Sequence, residues 1–161
     1  MTDPSELLAK GLLAGFAGKS AFGTSSRGAF TVTSSEVLLP EDAAQYIDQW
    51  VGKRSGGGQE IVQSAGGAMT RVYAGGTVLQ TTLDTLGITD DQIMAYLKEK
   101  LSALNGQTRL MAAVPPILDG DWQYAYELMD TDGAQIVTGK ETILYKNTPV
   151  FVHVFVMAPV S

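Results

Sequence analysis

The sequence predicts an α+β fold, an antiparallel sheet from two related β-meander segments packed with an N-terminal helix and a central helix. Three observations carry that expectation. Runs rich in Val, Thr, Tyr and Phe, punctuated by glycine, recur through 29–79 and 120–158, as strands and turns do. Helical spacing of leucines is confined to the start of the chain and its middle. The two β-rich segments also resemble each other. With 18 glycines spread along the chain, an all-helical bundle is disfavoured.

The first helix is expected over 4–18. Pro4 suits a first-turn position, and Leu7, Leu8, Leu12, Leu13 and Phe16 recur at helical spacing. Gly11 and Gly15 weaken it as a free helix and suit close approach to a sheet. Residues 22–28 are expected as a polar loop and 29–39 as one strand or two short ones. Residues 41–50 read two ways. Pro40-Glu41-Asp42 resembles a helix start, whereas Tyr46, Asp48 and Trp50 alternate as on one face of a strand. Lys53 to Gly58 is expected as a turn or loop, and strands at 60–63 and 69–74 would meet in a hairpin at Gly66-Gly67.

The central helix, 89–104, has the clearest signal. Thr89 and Gln92 form a capping box, Ile93, Leu97, Leu101 and Leu104 line one face, and Asn105-Gly106 ends it. Pro115-Pro116 reads as an extended connection. Trp122, Tyr124 and Tyr126 alternate, Asp130 to Gly133 reads as a turn, and Ala134 to Tyr145 as a strand. After a turn at Lys146 to Thr148 comes an almost wholly apolar run, Val150 to Val156, expected as a central strand buried on both faces.

An internal repeat, 44–79 and 120–158, is one account of the likeness of the two segments; the general resemblance of alternating β sequences is the other. Each has alternating aromatics, Tyr46-Ile-Asp48-Gln-Trp50 and Trp122-Gln-Tyr124-Ala-Tyr126. Each continues with Gly-x-Glu, ending in Glu60 and Glu141, and reaches an aromatic residue, Tyr73 and Phe155, after a turn. The repeat favours a strand for 44–50.

Five short motifs occur in order: Ser25-Ser26-Arg27, Tyr46-Ile-Asp48-Gln-Trp50-Val-Gly52, Gly58-Gln-Glu60, Tyr73-Ala-Gly75-Gly76 and Gly139-Lys-Glu141. With the opening apolar helix, they resemble an uncharacterised bacterial family, a domain of unknown function found alone or behind a helix-turn-helix. The resemblance spans nearly the whole chain. The second segment departs from it by ending in Val156-Met157-Ala158 rather than glycines, and the loop at Gly56-Gly57 is longer. The resemblance implies no activity, cofactor or ligand.

Composition narrows the function classes. A chain of 161 residues, 45 % hydrophobic and 17 % charged, is expected to fold as a single domain, 1–161, with a real core. A net charge of −6, with Lys53-Arg54 as the densest basic cluster, argues against nucleic acid and anionic membranes as partners. The absence of cysteine excludes disulfides, zinc–thiolate sites and thiol nucleophiles. The acidic start, Met1 to Glu6, does not read as a secretory signal, and no apolar run reaches the ~20 residues of a membrane span. A cytoplasmic protein without cofactor or metal is expected.

Three groups of residues are candidates for chemistry. Glu60 and Glu141, related by the repeat, could divide acid and base roles, or each could pair with an Arg or Lys. His153 is the single histidine, so it makes no multi-histidine metal site; it is a candidate general base or a hydrogen-bonded sheet residue. Arg27 could bind an anion or tether Glu60 or Asp48. The aromatics Tyr46, Trp50, Tyr73, Trp122, Tyr124 and Tyr126 could line a pocket, though core packing accounts for most of them. Asp130, Asp132 and Gly133 lack the further ligands of a calcium loop.

Binding of an apolar or aromatic small molecule between sheet and helices is therefore the first expectation. A cofactor-free isomerase, cyclase or lyase using carboxylate or histidine proton transfer is the second. A protein-interaction module of regulatory or immunity type is the third.

Overall fold

Two leucine-rich helices need apolar surface to cover, and the strands supply it. The computed structural model describes residues 1–129 and 135–161. In chain order its elements are α1 (Pro4–Ala14), β1 (Gly23–Arg27), β2 (Phe30–Leu38), β3 (Gln45–Val51), β4 (Ser55–Ser64), β5 (Gly67–Thr77), α2 (Gln80–Leu86) and α3 (Asp90–Ala103). Four strands follow, β6 (Val114–Asp119), β7 (Trp122–Met129), β8 (Val137–Tyr145) and β9 (Thr148–Val160). The strands form one sheet, ordered β1-β2-β3-β4-β5-β9-β8-β7-β6, with every neighbouring pair antiparallel. The meanders β3-β4-β5 and β7-β8-β9 thus meet back to back at β5 and β9, where Tyr73 faces Phe155 in register.

Each meander is covered by its own helix. Asp3 caps α1 by accepting from the Ser5 N–H at 2.7 Å, and Pro4 occupies the first turn. Leu7, Leu8 and Ala9 then bury against Tyr46 and Val62 of the first meander. Gly11 is required there, because a Cβ would stand 2.1 Å from the Tyr46 ring. Over the second meander lies α3, started by the Thr89–Gln92 capping box. Its Ile93, Tyr96, Leu97 and Leu101 pack with Tyr124, Tyr126, Ile143 and Phe155. No described helix is long and apolar enough to cross a membrane.

Several expectations need correction. Residues 23–27 are not loop but the edge strand β1, paired with β2. All five of its residues are exposed, so no apolar alternation marks it. For 41–50 both readings hold in part, a 3₁₀ turn at Glu41–Ala43 and then strand β3. Glycines 56–58 belong to β4 rather than to a loop. A Cβ on Gly58 would stand 2.5 Å from the Tyr73 hydroxyl, so glycine leaves room for that ring. Pro115 and Pro116 lie in edge strand β6, at an irregularity in its pairing where proline is tolerated. The seven-residue α2 had no signal of its own. Strand β9 is central, yet only one of its faces is buried, since Val154 and Val156 are exposed. The turn expected at Asp130 to Gly133 lies outside the described residues.

Candidate functional site

Strand alternation puts Tyr46, Asp48 and Trp50 of β3, Glu60 of β4, and Arg71 and Tyr73 of β5 on the helix-covered face. From the other meander Tyr124, Tyr126, Glu141 and His153 share that face. The result is a buried layer of charge beneath two helices.

Glu60 and Glu141 are held in parallel ways. Arg71 grips Glu60 with a bidentate fork, Nε at 2.5 Å and Nη2 at 2.7 Å, and the Tyr46 hydroxyl donates at 2.7 Å. Arg109 grips Glu141 with Nε at 3.0 Å and Nη2 at 2.7 Å, and the Tyr124 hydroxyl donates at 2.7 Å. Both carboxylates are essentially inaccessible, at 1 % and 0 % exposure. Burial alone would raise Glu60, but the charge and hydrogen bonds of Arg71 outweigh it and hold the carboxyl below its ordinary range. Burial, then the neighbouring carboxylates, keeps the Tyr46, Tyr73 and Tyr124 hydroxyls protonated, so they remain donors. The two forks are linked, since Arg71 Nη1 donates to the Arg109 carbonyl at 2.9 Å. That contact and Glu141 secure Arg109 at φ +60°, which a non-glycine residue adopts only when its surroundings impose it.

The register shows where the meanders differ. Opposite Glu141, in the place that Arg71 takes opposite Glu60, stands His153. The second arginine therefore comes from the loop after α3. On the other side Glu60 faces Asp48, whereas Glu141 faces Tyr126. Tyr126 fills its space, with its ring over Gly139 and its hydroxyl on the Leu110 carbonyl at 3.0 Å. Asp48 instead lines a cavity of about 90 Å³. That exceeds the roughly 10–15 Å³ needed for one water. Leu12 of α1, Phe16 just after it, Met94 and Leu97 of α3, Trp50 of β3 and Phe151 of β9 form its apolar walls. Asp48, Glu60, Tyr73, Arg109 and His153 form its polar floor.

Asp48 is the least settled group on that floor. It is 3 % exposed, and the Tyr73 hydroxyl donates to its Oδ1 at 2.9 Å. Burial and then the charge of Glu60 push its carboxyl up to about 7, against weaker lowering by Tyr73, Arg109 and Arg71. His153 is pushed the other way, to about 4, by burial and then by Arg109, so its ring is neutral at pH 7. Its Nδ1 is buried without a hydrogen-bond partner among the described residues, and the nearest Glu141 oxygen is 3.8 Å away. No group of three or more metal-ligating side chains occurs among the described residues.

The candidate residues thus separate. Trp50, Tyr73, Glu60 and His153 line the cavity. Tyr46, Tyr124, Tyr126 and Glu141 lie fully in the core, engaged in the bonds above. Trp122 stacks on Tyr96 at 5.0 Å, outside the cavity lining. Arg27 is exposed and donates to Gln49 at 3.2 Å. Gln49 neighbours Asp48 along β3 and so points to the opposite face, which rules out Arg27 as a tether for Asp48. Two residues of the site escaped the sequence reading. Asp48 carried a usable signal, a carboxylate alternating with Tyr46 and Trp50 on an inward face. Arg109 carried none, because 32 positions separate it from Glu141.

No family model, curated protein or solved structure matches the chain.

Proposed function

We propose that this domain binds a small molecule with a largely apolar body in the cavity between the sheet and helices α1 and α3. The single observation that carries the reading is the convergence of apolar walls from both helices on the buried polar groups Asp48, Tyr73 and His153. Sites for small ligands have that composition, an apolar enclosure with a few fixed polar groups. Glu60 and Glu141 serve as fixed structural charges in this reading, because their oxygens already accept from arginine and tyrosine.

The chain has 2 tryptophans, and Trp50 alone lines the cavity. A Trp122→Phe variant therefore leaves Trp50 as the reporter. Titration with benzyl alcohol is expected to change Trp50 emission saturably. A linear response up to the solubility of the probe would overturn the reading.

A second reading rests on the position of Asp48 near neutrality, where a carboxyl group gives and takes protons equally well. Cofactor-free proton transfer would then run through Asp48, with neutral His153 as a hydrogen-bonding helper, rather than through the two glutamates. Its signature is a pH–rate profile centred near 7 that disappears in Asp48→Asn; a profile unchanged by that substitution contradicts it.

A further inference from the structure

We infer that the cavity selects a protonated amine on an aromatic or aliphatic body, with Asp48 as its counter-ion. The inference rests on the binding reading above and adds the chemistry of the ligand's head. Three carboxylates are buried among the described residues, Asp48, Glu60 and Glu141. Glu60 and Glu141 each hold a guanidinium fork. Asp48 has no cationic side chain within salt-bridge distance among the described residues. One of its oxygens takes the Tyr73 hydroxyl, while Oδ2 accepts no hydrogen bond from the described residues. The group is almost wholly withdrawn from bulk water yet forms part of the cavity floor.

The same core shows how it accommodates cations. Arg71 and Arg109 each sit over the Phe155 ring, at 5.8 and 4.9 Å from its centroid, and each is paired with a carboxylate. An ammonium entering the cavity meets the same two elements, the Asp48 carboxylate and the rings of Phe16, Trp50, Tyr73 and Phe151. Lys53 and Arg54, which also line the cavity, do not take that role. Lys53 is exposed, and Arg54 donates Nη2 to the Val78 carbonyl at 2.6 Å. His153 is neutral. Titratable and charged groups facing Asp48 are Glu60 from β4, Arg71 and Tyr73 from β5, and Arg109 from the loop after α3. The residues of α1 and α3 at the cavity, Leu12, Met94 and Leu97, and Phe16 just after α1, carry no charge.

Benzylamine and benzyl alcohol, matched in size, provide the test by ligand-observed NMR at pH 7.5 on the whole chain. The wild-type protein is expected to bind the amine about tenfold more tightly than the alcohol, as a charge-assisted bond does. Asp48→Asn is expected to bring the amine down to the level of the alcohol. If both probes bind saturably and the alcohol matches or exceeds the amine, amine selection is overturned and the pocket stands. If neither binds, both the pocket and its selectivity are overturned. The wild-type comparison decides the matter even where the variant does not fold, and a folded variant that keeps the full amine preference also overturns the role of Asp48.

Discussion

The two meanders carry the same pair of fixed charges and differ in what faces them. In β7-β8-β9 the glutamate is flanked by Tyr126, whose ring covers Gly139, and that half is closed by aromatic packing. In β3-β4-β5 the equivalent place holds Asp48, which lines the cavity, while the ring of Tyr73 covers the equivalent Gly58. The arginines differ as well. Arg71 comes from the strand beside its glutamate, whereas Arg109 comes from a loop because His153 occupies the strand position. The cavity lies where the two halves meet, lined by Asp48, Trp50 and Tyr73 of the first meander and by Phe151 and His153 of the second.

Breaking either ion pair should have the largest effect. Arg71→Met leaves Glu60 buried without its cation, and a loss of about 3–5 kcal/mol is expected from urea denaturation. Arg109→Met should match it for Glu141. If the Arg71 variant loses less than about 1 kcal/mol, the pair is not the structural element described here.

The hydroxyls come next. Tyr46→Phe and Tyr124→Phe each remove a donor to a buried carboxylate, with an expected cost of about 1.5–3 kcal/mol in the same assay. Similar losses in the two variants would support equivalent charge networks; a cost confined to one would break the parallel.

Much of this arrangement was legible in the sequence. The leucines of α1, the Thr89–Gln92 cap of α3 and the two Gly-x-Glu motifs marked the helices and both glutamates. The pairing of the aromatics was legible only in part. The sequence aligns Tyr46 with Trp122, but the register places Tyr46 where Tyr124 stands, two residues beyond the glutamate's partner. A slide of two residues leaves every side chain on its original face, so alternation cannot detect it. With the corrected register Asp48 takes the place equivalent to Tyr126, and the difference between the two glutamate surroundings becomes visible. Arg109 stayed hidden because loop-to-strand contacts leave no periodic trace. Strand β1, wholly exposed, and the short α2 lacked an apolar face long enough to show a period.

A further expected effect concerns pH. Asp48 is raised in the folded state above its ordinary 3.8, so the folded protein holds that proton while the unfolded chain releases it. Its contribution to stability is fully present below about 3.8 and is lost as pH rises through about 7. Asp48→Asn should therefore flatten the stability profile across that window, gaining on the wild type as pH rises. Glu60 acts in the opposite direction, its lowered carboxyl contributing stability that is lost as pH falls through its folded value. Thermal melts of Asp48→Asn and wild type between pH 4 and 8 measure the difference, and parallel profiles would contradict it.

Direct titration of the Asp48 carboxyl carbon by ¹³C NMR tests the contrast between the halves most closely. The account predicts a midpoint of about 7 for Asp48, with Glu60 ionised well below it. A midpoint near the ordinary 3.8 would contradict it, placing Asp48 in solvent or against a cation rather than as an unpaired group of the cavity floor.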